Sequence, residues 1–256
     1  MSEKYRFEAL QLPCAKGWLS AVYKRAEPAQ LALLMVPPYG HEWQRGYRLF
    51  ALLAEALAGH GIASLRFDYR GCGDSSDSDD SFLLSRAAVD AETALAALRR
   101  LCPAPVQVLG LRAGALLAAP LATAHGLPLL LWQPVLDGAE YWAELEARDA
   151  GELNSRWRYA FLRRTRAREP GCLLGSRIHP GLAAEFAAAR IDGRAALWLG
   201  AEGRSPQGQN TLTLSAALSD WAGEIDLDAM FPPPQVRALA AQLAERLLGA
   251  ASGGSE

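Results

Sequence analysis

The sequence predicts one α/β domain, a mostly parallel central sheet with helices on both faces and a helical segment inserted late in the strand order. Three observations carry this. Short apolar runs at 31–36, 62–67, 106–109 and 127–132 alternate with longer stretches of helical spacing, the order that repeated strand–helix–strand units produce. The runs are apolar throughout rather than every second residue, as strands covered on both faces are. The chain has 256 residues, half of them hydrophobic, enough for one large domain with a sizeable core.

Taken in order, residues 5–12 and 18–23 are short runs parted by Pro13 and Gly17, and read as an antiparallel hairpin. The first buried strand, 31–36, stops at Pro37-Pro38. Residues 47–58 then place Leu49, Leu52, Leu53, Ala56 and Leu57 on one helical face, with Gly59 and Gly61 bracketing the end. Strand 62–67 runs into a glycine-rich turn, Arg70-Gly71-Cys72-Gly73-Asp74-Ser75, and residues 77–81 form a polar loop or helix entry. Helix 82–101 is stopped by Pro103, strand 106–109 meets Gly110-Leu111-Arg112-Ala113-Gly114, and helix 115–125 leads to strand 127–132. From 136 to 190 charges and aromatics become dense (Tyr141, Trp142, Trp157, Arg158, Arg163, Arg164, Arg166, Arg168) and no strand pattern appears. This stretch is expected to be a mostly helical cap inserted into a core formed by 1–135 and 191–250. The sheet resumes at 195–199, an apolar stretch follows at 212–218, and Pro232-Pro233-Pro234 leads into an amphipathic helix at 235–248. Residues 251–256 are small and polar, and are expected to be a disordered tail.

Composition narrows the partners. There are 26 Lys and Arg against 28 Asp and Glu, a formal net charge of −2 with the signs well mixed. That balance gives no electrostatic reason to expect nucleic acid or an anionic membrane. The four cysteines, Cys14, Cys72, Cys102 and Cys172, form no close pair and sit beside no histidine cluster. Neither a zinc site nor a disulfide framework is supported, and no cofactor is called for. Residues 1–7 lack an apolar signal region and no apolar run is long enough for a bilayer, so a cytoplasmic protein is the expectation.

The chemistry sits in the strand–turn–helix junction at 110–114. A turn this tight forces its middle residue into a strained backbone, and its flanks must be glycine or similarly small. Gly110 and Gly114 meet that demand, and the middle position is Arg112. Pro37-Pro38 after a strand, the turn Asp68-Tyr69-Arg70-Gly71-Cys72-Gly73-Asp74-Ser75, and this junction come in the order found in α/β-hydrolases. The turn resembles the serine aminopeptidase-like branch of that superfamily. Gly110-Leu111-Arg112 with Gly114-Ala115-Leu116-Leu117-Ala118, followed by Leu130-Leu131-Trp132-Gln133-Pro134-Val135, is most similar to the exosortase A system-associated hydrolases, a group found with surface-protein sorting and exopolysaccharide genes. The resemblance covers about the first half of the chain and implies the α/β-hydrolase fold.

Carried over position by position, the resemblance gives a broken triad. The nucleophile position falls on Arg112, whose guanidinium stays protonated and cannot attack a carbonyl. The acid falls nearest to Glu202. The base belongs late in the chain, yet the four histidines are His41, His60, His125 and His179. The fold family's oxyanion hole would use the Ala113 amide with that of Tyr39 or Gly40, since Pro38 has none.

Two readings of Arg112 follow. It binds an anion, a small acyl or peptide-like ligand, in the old active-site pocket together with Ala113, Tyr39 and Gly40. Alternatively it pairs with Asp68, Asp74 or Glu202 and plugs the site. A true hydrolase with a displaced nucleophile would use Cys72, Ser75 or Ser205 with His41 as base. A third possibility is a non-catalytic protein that docks a pathway partner through its cap. Asp68 and Asp74 read more simply as caps for turn amides.

Overall fold

The computed structural model describes residues 7–154, 168–201, 208–219 and 233–252. β1 (Phe7–Pro13) and β2 (Trp18–Lys24) form the expected hairpin, Phe7 opposite Lys24 and Pro13 opposite Trp18. β2 then pairs antiparallel with β4 (Ile62–Phe67). The parallel part follows: β4 beside β3 (Leu31–Val36), then β5 (Val106–Leu111), β6 (Leu129–Trp132), β9 (Leu197–Gly200) and β10 (Thr211–Thr213). The eight-stranded order is β1-β2-β4-β3-β5-β6-β9-β10. The mostly parallel sheet with helices on both faces is as the sequence predicts.

β3 shows why the strands read as unbroken apolar runs. Leu31, Leu33 and Met35 face α1 (His41–Ala58) and α7 (Pro233–Ser252), packing with Leu49, Leu53, Leu239 and Leu243. Ala32, Leu34 and Val36 face the other way, toward α2 (Leu84–Leu101) and α3 (Ala115–His125), with Leu95, Leu98 and Leu121. Both pleat faces are buried, so the two-residue period vanishes from the sequence.

The late segment holds α4 (Gly138–Leu153) and α5 (Leu182–Ala188), which add Tyr141, Trp142, Leu145 and Phe186 to the second core layer. Its ends are stapled: Asp137 caps α4 by accepting from the Ala139 amide at 2.8 Å, and its other oxygen meets Arg190 Nε at 3.0 Å. Gly138 is confined there, since a Cβ would stand 2.2 Å from the Phe186 carbonyl oxygen.

Several boundaries differ from the sequence expectation. The segment from 136 to 190 is not free of strand: β7 (Cys172–Leu173) and β8 (Ser176–Arg177) make a minimal hairpin, too short to carry any periodicity. α1 starts at His41 rather than 47, so His41 lies in a helix and not on a loop. α7 starts at Pro233, because proline fits a first helical turn where no amide bond is lost. It also runs to Ser252, two residues into the expected tail. Within the apolar stretch 212–218 the strand ends at Thr213 and a short helix, α6 (Ala216–Ser219), follows. Residues 253–256 and the expected tryptophan and arginine cluster at 157–166 lie outside the described residues.

Candidate functional site

The junction after β5 is the tight elbow that the sequence calls for. Leu111 ends the strand, Arg112–Gly114 make one 3₁₀ turn, and α3 begins at Ala115. Arg112 has φ 49°, a left-handed conformation that costs a non-glycine residue about 1–2 kcal/mol. The flanking glycines are obligatory. A Cβ on Gly110 would stand 2.7 Å from Ala118 Cβ, and one on Gly114 would stand 2.4 Å from the Pro37 carbonyl oxygen.

What holds the guanidinium is a carboxylate that no motif points to. Arg112 Nε donates to Glu42 Oε1 at 3.0 Å, and its Nη1 donates to the Gln133 carbonyl at 3.2 Å. The other Glu42 oxygen, Oε2, accepts from the Tyr141 hydroxyl at 3.0 Å. Glu42 is 3% exposed, and burial pushes its carboxyl above the usual range against the pull of Arg112, Tyr141 and Arg148. The network thus joins the elbow, the first turn of α1 and helix α4. Gln133 is itself left-handed at φ 41°, and its side chain donates to the Ser219 carbonyl at 2.9 Å. Beside the network, Arg148 Nη1 meets His41 Nε2 at 2.6 Å.

Rings cluster around Tyr141 and Phe186. Tyr39 stacks on Phe82 with centroids 4.7 Å apart and leans on Phe186 at 5.5 Å. Tyr141 and Trp142 each reach Phe186 at 5.6 Å. These rings come from the loop after β3, the entry to α2, and both helices of the late segment.

The sequence candidates distribute as follows. Ala113, Tyr39 and Gly40 flank the elbow and the start of α1. The acid facing Arg112 is Glu42, not Asp68 or Asp74. Asp68 instead accepts from the Asp74 amide at 3.2 Å and so braces the glycine-rich turn. Glu202 and Ser205 lie outside the described residues. Ser75 Oγ is committed to structure, donating to the Asp68 carbonyl at 2.7 Å and accepting from the Ser20 amide at 2.8 Å. Cys72 is a poor nucleophile: burial first, then Asp68 and other acids nearby, push its thiol up to about 12. His41 Nε2 accepts a hydrogen bond from Arg148 Nη1, so that lone pair is occupied. Among the described residues no cluster of His, Cys, Asp and Glu could hold a metal, and no helix is long and apolar enough to cross a membrane.

Glu42 leaves a signal in the sequence nonetheless. The buried stripe of α1 runs through Leu49, Leu53 and Leu57, and stepping back one heptad from Leu49 gives Glu42. An acid on the apolar face of a helix requires a buried partner.

No family model and no curated protein matches the chain. Solved structures do. Est1E from Butyrivibrio proteoclasticus, determined with ferulic acid bound, matches 94% of this chain and 100% of its own with a TM-score of 0.62 at 14% identity. A lidless serine hydrolase from Xanthomonas campestris (21% identity, TM-score 0.45) and a serine hydrolase homologue from Coxiella burnetii (20%, 0.43) match 52% and 50% of this chain. The matches span 63% and 62% of those two proteins' own lengths. The fold is that of the α/β-hydrolases.

Proposed function

We propose that this protein is a catalytically silent α/β-hydrolase-fold protein in which Arg112 holds an anionic acyl or peptide-like ligand at the former nucleophile position. The observation that carries the reading is the guanidinium itself, fixed by Glu42 and the Gln133 carbonyl and still 21% exposed along its side chain. Arg112 has five donors, of which these contacts use two, so donors remain for a carboxylate. The Ala113, Tyr39 and Gly40 amides are the proposed further donors, and the 136–190 segment the proposed cap over the ligand. No histidine follows His179 in the sequence, so the general base of the standard mechanism has no candidate there. The resemblance of the 110–118 and 130–135 segments supports a role beside surface-protein sorting or exopolysaccharide systems, and the proposed location is the cytoplasm.

Butyrate and an N-acetylated dipeptide, titrated calorimetrically into the protein and into Arg112→Met, test this. Binding weakened about tenfold or more by the substitution is expected, the scale of one charge-assisted contact. Equal binding by both, or none by either, would overturn the reading and turn the search to protein partners of the cap segment.

A further inference from the structure

The elbow network has a second consequence, resting on the anion-binding reading of Arg112. An incoming carboxylate arrives at a guanidinium whose Nε already serves Glu42 Oε1. Glu42 is almost without water, 3% exposed. Two carboxylates on one guanidinium in such a place repel strongly, and the relief available to them is a shared proton, as in any close carboxyl pair.

Among the described residues, the charged and titratable groups that bear on Glu42 are few. From the elbow there is Arg112; from α4, Tyr141 and Arg148; on its own helix, His41, whose Nε2 is held by Arg148. The Gln133 carbonyl faces the guanidinium from the end of β6. Arg148, held by His41, pulls on Glu42 least of these groups, and none of the neutral neighbours can carry away a negative charge. Tyr141 is fully enclosed and its hydroxyl is held well above its usual range, so it remains a donor.

We infer that binding of a monocarboxylate at Arg112 takes up one proton, which resides on Glu42. The step balances simply: solvent supplies the proton, one O–H bond forms on Glu42, and the ligand stays an anion against Arg112. The site therefore takes the equivalent of a neutral acid, and dianions such as hydrogen phosphate are disfavoured because one proton cannot offset them. Tyr141 provides for both states, since its hydroxyl donates to the carboxylate and accepts from the carboxylic acid.

By linkage, the affinity of a proton-coupled ligand falls by up to about tenfold per unit of pH between the titration of Glu42 in the free protein and its higher titration in the complex. The experiment is calorimetric titration of butyrate into the whole protein in cationic buffers of differing ionisation enthalpy (Bis-Tris, imidazole, Tris), from about pH 6 to about pH 8. A plot of observed enthalpy against buffer ionisation enthalpy is expected to give a net proton uptake approaching one within this range, with Kd rising close to tenfold per pH unit where the uptake is near one. Glu42→Gln is expected to bind butyrate with no proton uptake and a flat pH profile. Butyrate bound by the native protein with no proton uptake overturns this inference while leaving the anion-binding reading intact. No butyrate binding at any pH overturns both. The proton count in the native protein decides the matter even if Glu42→Gln fails to fold.

Discussion

The ion pair at the elbow makes its sharpest prediction through a double-mutant cycle of Glu42→Gln and Arg112→Met. Removing one partner of a fully buried pair costs about 3–5 kcal/mol, whereas exposed pairs contribute under about 1 kcal/mol. Here the Glu42 side chain is 4% exposed and that of Arg112 21%, which places the pair near the lower edge of the buried range. Arg112→Met leaves Glu42 with Tyr141 and Arg148 alone and is expected to destabilise by about 3 kcal/mol. Glu42→Gln keeps an acceptor oxygen for the guanidinium, so about 2 kcal/mol is expected. The double variant replaces both charges and is expected to lose about 3 kcal/mol rather than the additive 5, a coupling of about 2 kcal/mol. Urea unfolding of the four proteins gives these numbers, and thermal midpoints are expected to move by about 2–4 °C per kcal/mol for a chain of this size. A coupling below about 0.5 kcal/mol would refute the claim that Glu42 and Arg112 form one energetic unit.

Four further outcomes follow. Gly114→Ala is expected to abolish soluble folded protein, because its Cβ would stand 2.4 Å from the Pro37 carbonyl oxygen; expression with circular dichroism checks it. Asp90→Asn is expected to cost about 3 kcal/mol, since the 1%-exposed Asp90 accepts from Arg70 Nε at 2.7 Å and its amide at 2.9 Å; urea unfolding reads this. Cys72, its thiol pushed up to about 12, is expected to resist iodoacetamide near neutral pH until the protein unfolds, as peptide mass spectrometry would show. Glu42, Asp68 and Asp90 are all raised by burial, so the native state holds protons that the unfolded chain has already lost. Their contribution is therefore largest below the ordinary carboxylate range and falls as pH climbs above it. Unfolding at about pH 5 and about pH 7 is expected to show a shallower fall for Glu42→Gln than for the native protein.

How far the sequence foretold this molecule depends on what each element asks of its residues. β3 was legible because burial on both faces leaves a six-residue apolar run with no competing pattern. The elbow was legible because its glycines answer a steric demand that two distances now make explicit. The ends of helices were less so. α1 begins eight residues before its first leucine, since His41, Glu42 and Trp43 reach their partners through side chains rather than apolar period. The hairpin of β7 and β8 has two residues a side, below any periodicity. Arg112 stood out from the motif alone, whereas its partner lies 70 positions away. A long-range pair of that kind is invisible to spacing, and only the acid's place on an apolar stripe marks it.

Ester turnover tests the silent elbow most directly. Rates of p-nitrophenyl acetate and butyrate release are to be compared for the purified protein, Arg112→Ala and buffer. The account predicts no saturable turnover in either protein, with both indistinguishable from buffer. Saturable hydrolysis by the native chain that disappears in Arg112→Ala would contradict it, and would mean that this elbow, arginine included, performs chemistry.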